Sequence, residues 1–403
     1  MKDVINLHEY QVIDNHCHAF LPQKEEKKGV SLAQHFQWAM LPEEQCENLI
    51  LYKRVLIELA RVLKCKSKKP HDIIAQRNKA YPPSNVEKQI EYLTKLFDDA
   101  KITWLFFDTG YPSSQYPHGY DVDEQTLSNV FTKQKFRFIL RLERLMWDLF
   151  KKSLPFDEML DEYLSTLTRK IRQEKYIGLK SAIAYGYGLD INDHDIEEAR
   201  SAYENLRRKN LLAIPLKEKM LNYPTVINEE KILRDFLTCR GIEKSIELNV
   251  PIQIHTGLGE APIINVHKCN PVFLYDILRN PKLEKAKFVL IHAGYPYVEE
   301  LAWLAFNFPN VYVDLSCMTP WIHFGIKQRL LQILEMTPVN KIMYGSDGTS
   351  IPEKHWIAAI LAKESISKAL QDLISSGFID EDYAYKMAEW ILSENAKRLY
   401  GLK

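Results

Sequence analysis

Short, nearly unbroken apolar runs recur along the chain, at residues 10–13, 102–107, 136–140, 176–180, 251–255, 288–292, 311–315 and 342–345. Runs this short, rich in Val, Ile and Phe, fit strands that are buried on both faces. Most are separated by stretches with apolar residues at helical spacing. One covers 193–209. A second covers 228–248, with Asn228 as its N-cap and Ile232, Leu233, Phe236, Leu237 and Ile246 on one face. Two more, near 353–376 and 380–399, close the chain. Eight strands alternating with helices predict parallel βα units closed into a (β/α)8 TIM barrel of the α/β class, with residues 1–403 as a single domain.

The alternation breaks once. Residues 21–100 are polar and helix-rich. Ser31 is placed to cap a short helix, and 47–65 carries Leu49, Leu51, Val55, Leu56, Leu59, Val62 and Leu63 at helical spacing. Tyr81-Pro-Pro-Ser-Asn85 is a turn ending in an N-cap, followed by a helix through Phe97. This stretch is too long for a βα loop, so it is expected to form a helical insertion after strand 1 that caps the mouth of the barrel.

Four of the apolar runs end in residues suited to metal binding. Ile13-Asp14-Asn15-His16-Cys17-His18 ends the first, Pro251 to His255 the fifth, Phe288 to His292 the sixth and Ile342 to Asp347 the eighth. Side chains two apart on a strand share a face, so His16 and His18 can converge on one ion. His, His, His and Asp at the ends of separate strands are poorly explained by core packing. All of them fall at C-terminal strand ends, where barrel enzymes keep their active groups.

Charge and composition change little. Lys+Arg and Asp+Glu both number 53, so the net charge is zero, and neither a nucleic-acid nor a membrane partner is expected. The six cysteines form no CxxC pair and read as reduced thiols. No leader pattern and no apolar run near 18 residues is visible, so a cytoplasmic location is expected. The partner is expected to be a small-molecule substrate, with self-association into a homo-oligomer left open.

The ordered set resembles the amidohydrolase superfamily. Its members carry His-x-His on strand one, Lys or Glu on strand four, His on strands five and six, and Asp on strand eight. The matching positions are His16, His18, Lys180, His255, His292 and Asp347. Gly178-Leu-Lys-Ser181, His255-Thr-Gly-Leu-Gly259, His292-Ala-Gly-Tyr-Pro-Tyr297 and Tyr344-Gly-Ser-Asp347 are closest to the amidohydrolase-2 branch and its FluG-like proteins. The resemblance implies a metal-dependent hydrolase acting on a C–N bond of the amide type. It leaves a metal-dependent decarboxylase of a small carboxylic acid as the alternative, because that branch contains both. A barrel that keeps its metal as a scaffold without turnover is a third reading, against which the intact set speaks.

An N/O donor set of this kind suits Zn²⁺, one ion or two, and Mn²⁺ or Fe²⁺ would fit the same donors. Asp347 can act as general base toward a metal-activated water. With one metal, His292 would instead polarise the substrate carbonyl. A lysine facing a barrel interior loses solvation, which favours its neutral amine. The resemblance implies that such an amine can carry a carbamate bridging two cations. The alternative for Lys180 is an ammonium paired with Glu143 or Asp108. Arg141, Glu143, Tyr185 and Trp321, on loops beyond strands three, four and seven, are the candidate substrate contacts, together with Glu260 and His267 beyond strand five.

Overall fold

The computed structural model describes residues 5–22, 24, 29–37, 41–114, 120–214, 227–260 and 263–402. Each apolar run forms a strand: β1 (Val12–Cys17), β2 (Ile102–Asp108), β3 (Lys135–Arg141), β4 (Tyr176–Ser181), β5 (Ile252–His255), β6 (Phe288–Ile291), β7 (Val311–Asp314) and β8 (Ile342–Met343). Neighbours in sequence are neighbours in the sheet, and every pairing is parallel. Just beyond β8 the chain turns back onto β1. Asn15 N–H donates to the Tyr344 carbonyl at 3.1 Å, and Asp347 N–H to that of His16 at 2.9 Å. The sheet is thus a nearly closed barrel, as the alternation predicts.

Two apolar layers hold it. Inside, Ile13, Phe106, Ile139, Val289, Ile291 and Met343 meet Leu399 and Tyr400 from the last helical turn, which plugs the barrel from below. Outside, the alternate strand residues, among them Ile252, Ile254, Leu290 and Val313, pack under the helices. Alternation of this kind is what a barrel strand imposes. β1 departs from it. Ile13 is interior, Asn15 reaches Asp314 and His16 reaches Gln253, so two consecutive side chains turn inward. The β1–β2 register shifts between Asp14 and Cys17, marking the irregularity. Such an extra residue re-aims side chains, a frequent device beside active sites.

Between β1 and β2 the described residues hold three longer helices, α1 (Ile50–Val62), α2 (Pro70–Ala80) and α3 (Val86–Ala100). Asn85 caps α3 by accepting from Lys88 N–H at 3.0 Å, and the helix runs past Phe97 to a left-handed Lys101. α3 is the wall helix a βα unit needs, with Leu93, Leu96 and Phe97 fully buried. α1 lies on the flank. Arg54 pairs with Glu364, midway along α5 (Pro352–Ser375), and Arg61 with Asp99 near the end of α3. Those half-exposed pairs contribute at most about 1 kcal/mol each. Burying Leu51, Val55, Leu56 and Leu59 contributes roughly 1.5–3 kcal/mol apiece, so the apolar stripe seats the helix. The part of the segment beside the mouth is different: Phe20, Pro22, Leu32, Arg77 and Gln89 line a cavity of about 300 Å³ against Ser350–Pro352.

Two details differ from the sequence expectation. Asn228, read as an N-cap, lies inside the first turn of α4 (Ile227–Glu247). The final helix is split by a π-helical segment at Trp390–Glu394. All six cysteines are free. No helix among the described residues is long and apolar enough to cross a membrane.

Candidate metal centre

The C-terminal strand ends bring His16, His18, Lys180, His255, His292 and Asp347 into the mouth. Asp347 Oδ1 is 3.3 Å from His16 Nε2 and 3.2 Å from His18 Nε2. His255 Nδ1 and His292 Nε2 are 3.1 Å apart. The rings of His16 and His292 are 5.4 Å apart, which joins the two groups. Donor atoms of His16, His292 and Asp347 all lie within 4.8 Å of one another, as do those of His16, His18 and Asp108.

The outer partners of each imidazole fix which nitrogen carries the proton. Gln253 spends its amide N–H groups on the Asn15 carbonyl (2.8 Å) and the Tyr400 hydroxyl (2.9 Å). Its Oε1 therefore accepts from His16 Nδ1 at 2.8 Å, leaving a lone pair on Nε2. His18 Nδ1 faces the Tyr111 carbonyl at 3.3 Å, with the same result. Two lone pairs and a carboxylate oxygen then converge with no proton among them. The second pair repeats this. His255 Nε2 donates to the Leu258 carbonyl at 2.9 Å, so its Nδ1 is a lone pair. Ser316 gives its hydroxyl proton to Asp314 and accepts from His292 Nδ1 at 3.0 Å, so His292 Nε2 is another. Acceptors forced face to face in a buried site are what a cation relieves, and the donor set therefore fits a divalent metal.

The electrostatics agree. Burial, and then the charge of Lys180, push the His16 pKa down to about 4. Burial likewise holds His255 and His292 well below the ordinary imidazole range, with Lys180 and His255 respectively adding to it. All three are neutral near pH 7, the state a ligand requires. Burial raises the Asp347 carboxyl, but the neighbouring His16 and His18 side chains outweigh it and hold its pKa well below the ordinary carboxylate value. Lys180 is buried, and its Nζ makes no hydrogen bond to any of the described residues. Burial, opposed mainly by Asp108, brings its pKa to about 8.

The candidate substrate residues divide. Arg141 grips Asp108 with Nε at 3.0 Å from Oδ1, and its Nη2 meets Oδ2. Glu143 accepts from the Ser181 hydroxyl at 2.8 Å, and its Oε2 is buried without a hydrogen bond among the described residues. Tyr185 packs its ring 4.7 Å from that of His255. Trp321 is half-buried, with the Lys354 ammonium 6.0 Å from its ring. Glu260 and His267 are exposed. Sequence reasoning missed Gln253, Asp314 and Ser316, which orient the histidines from behind. Asp108, read only as a partner for Lys180, also ends an apolar run, the signal that picked out the other ligands.

Gly257, two residues beyond His255, has φ +71°, and a Cβ there would meet the Tyr295 carbonyl oxygen at 2.2 Å. Gly257→Ala is therefore expected to destabilise the protein by about 2–4 kcal/mol, from clash and left-handed strain together. Urea denaturation checks this, and a loss below 0.5 kcal/mol would refute it.

Comparison with known proteins bears out the resemblance to amidohydrolases. The family model described as amidohydrolase matches residues 215–402. Over 263 residues the chain is 28% identical to the protein fluG of Emericella nidulans, covering 64% of this chain and 28% of that protein. The chain thus spans little more than a quarter of that relative's length. Among solved structures, a Lactobacillus casei protein assigned as a metal-dependent hydrolase superposes with a TM-score of 0.81 at 21% identity, covering 99% and 98% of the two chains. Uronate isomerase of Thermotoga maritima superposes at 0.65 and 14% identity, covering 98% and 95%. That of Bacillus halodurans does so at 0.63 and 16%, covering 98% and 94%. These structural likenesses establish the barrel.

Proposed function

We propose that this chain is a metal-dependent hydrolase that cleaves a C–N bond of the amide type in a small-molecule substrate. The observation that carries the reading is the convergence of unprotonated acceptors: His16 Nε2 and His18 Nε2 on Asp347, and His255 Nδ1 on His292 Nε2. In this reading His16, His18 and Asp347 hold one divalent cation, with zinc assigned first, and His255 and His292 hold a second beside Lys180. When bound, the metal supplies a Lewis acid and lowers the pKa of water from about 15.7 to roughly 7. The residues do the rest. Asp347, ionised and turned to both histidines, accepts the proton of the attacking water and returns it to the departing amine nitrogen. The Gln253 and Ser316–Asp314 relays keep His16 and His292 in their working tautomers. Arg141, Glu143, Tyr185 and Trp321 orient the substrate, and Phe20, Pro22 and Leu32 close part of the mouth over it.

The test is product analysis with the metal-loaded protein and a panel of N-acyl and γ-glutamyl amides and small aromatic and unsaturated acids. Released amine with an equimolar carboxylic acid is expected. Released CO2 with no amine would replace hydrolysis by decarboxylation.

A further inference from the structure

Asp14, Ser346 and His355 form a fully buried cluster between β1, the loop after β8 and the first turn of α5. None of them belongs to the ligand set. Asp14 Oδ1 accepts from Ser346 N–H at 2.8 Å, and Oδ2 accepts from the Ser346 hydroxyl at 2.5 Å. The same hydroxyl accepts from Gly348 N–H at 2.8 Å. His355 Nδ1 is 3.4 Å from Asp14 Oδ2, and its ring is seated on Gly348, where a Cβ would meet it at 2.5 Å. The residues before and after Asp347 are therefore both tied to one buried carboxylate. Asp347 itself has φ +54°, a left-handed conformation that a non-glycine residue holds only where its surroundings enforce it.

Donor atoms of Asp14, Cys17 and His355 lie within 4.8 Å of one another, so a second cation site is the competing reading. Both Asp14 oxygens are already engaged by Ser346, and the Cys17 thiol is turned to the Phe106 carbonyl at 3.6 Å. The cluster is a closed hydrogen-bond network rather than an open ligand set.

We infer that Asp14, Ser346 and His355 are positioning residues, a bracket that locks the turn 346–348 and so aims the Asp347 carboxylate at His16 and His18. The inference rests on the reading of Asp347 as a metal ligand. Without the Ser346 hydroxyl, the link from Asp14 to Gly348 is lost, and the turn can relax out of the left-handed region and carry the carboxylate away.

The test is titration of the full-length, metal-free protein with Co²⁺, read by affinity and by the visible d–d spectrum, alongside thermal unfolding without metal. Ser346→Ala is expected to weaken Co²⁺ binding 10–100-fold, the range for residues that orient ligands, and to alter the d–d bands. His355→Phe, which keeps a ring on Gly348 but removes the donor, is expected to act in the same direction and serves if Ser346→Ala does not fold. Co²⁺ affinity within twofold of wild type and an unchanged spectrum in a folded variant would overturn the bracket. Asp347→Ala separates the two ideas. If it binds Co²⁺ like wild type, the ligand reading itself fails. If it is impaired while Ser346→Ala is not, only the bracket fails.

Discussion

His16→Ala and His18→Ala proteins are expected to emerge from purification with less than about a tenth of the wild-type metal at the site next to Asp347. His16 should show the larger loss. It is 1% exposed, whereas His18 is 8% exposed toward the mouth. Gln253 also holds the His16 ring in place, so its lone pair is aimed before any ion arrives. Removing it leaves His18 Nε2 and Asp347 Oδ1 as the remaining near donors, an incomplete set for a tetrahedral ion. Metal catalysis supplies several kcal/mol of transition-state stabilisation, which at about 1.36 kcal/mol per tenfold corresponds to a rate loss on the order of 10³. Elemental analysis and turnover of the substrate found by product analysis check both halves. A His16→Ala protein with unchanged turnover and no bound metal would end the metalloenzyme reading.

The barrel was legible because its strands are nearly unbroken apolar runs. Phe288–Ile291 and Ile252–Ile254 have no polar position facing solvent, so the sequence carries the signature of burial on both faces. The ligand residues were legible for a related reason: a histidine or aspartate closing such a run has no packing explanation. What stayed hidden depends on contacts between distant positions. Gln253 is two residues from His255 in sequence, yet its partner is His16, 237 positions away. The Asp314–Ser316–His292 relay and the Asp108–Arg141 pair likewise join different strands. The irregularity in β1 was invisible because His16 and His18 are two apart either way, and the pleat alone would have put them on one face. Positive φ at His292, Cys317 and Asp347 left no trace either, since none of them is glycine. Tertiary contacts impose those conformations, and local preference argues against them.

Lys180→Met is expected to raise the stability of the metal-free protein while lowering its metal content from two ions to one. Burial costs the Lys180 ammonium its hydration, and among the described residues no hydrogen bond replaces it. Its pKa of about 8 against the ordinary 10.5 corresponds to a penalty on the order of 3 kcal/mol near pH 7. The sign follows from proton counting. Between about pH 8 and 10.5 the unfolded chain holds the proton and the folded one does not, so wild-type stability should rise with pH across that window. Below pH 8 the full penalty applies. The Lys180→Met protein should lack this rise and match the wild-type value at high pH. A group kept at such a cost is explained by what its neutral form can do. Near pH 7 about a tenth of such amines are neutral, against roughly one in three thousand for an exposed lysine, so addition of CO2 becomes accessible. The carbamate would lie beside His16 and His255, both of which feel the charge of Lys180. In Lys180→Ala, a short carboxylic acid should then restore part of the activity, because the missing group is a carboxylate. Stability below pH 8 is measured by urea denaturation, and metal content by elemental analysis of protein prepared with zinc and bicarbonate. A single metal beside an unmodified Lys180 under those conditions would overturn the carbamate while leaving hydrolysis at the His16–His18–Asp347 site standing.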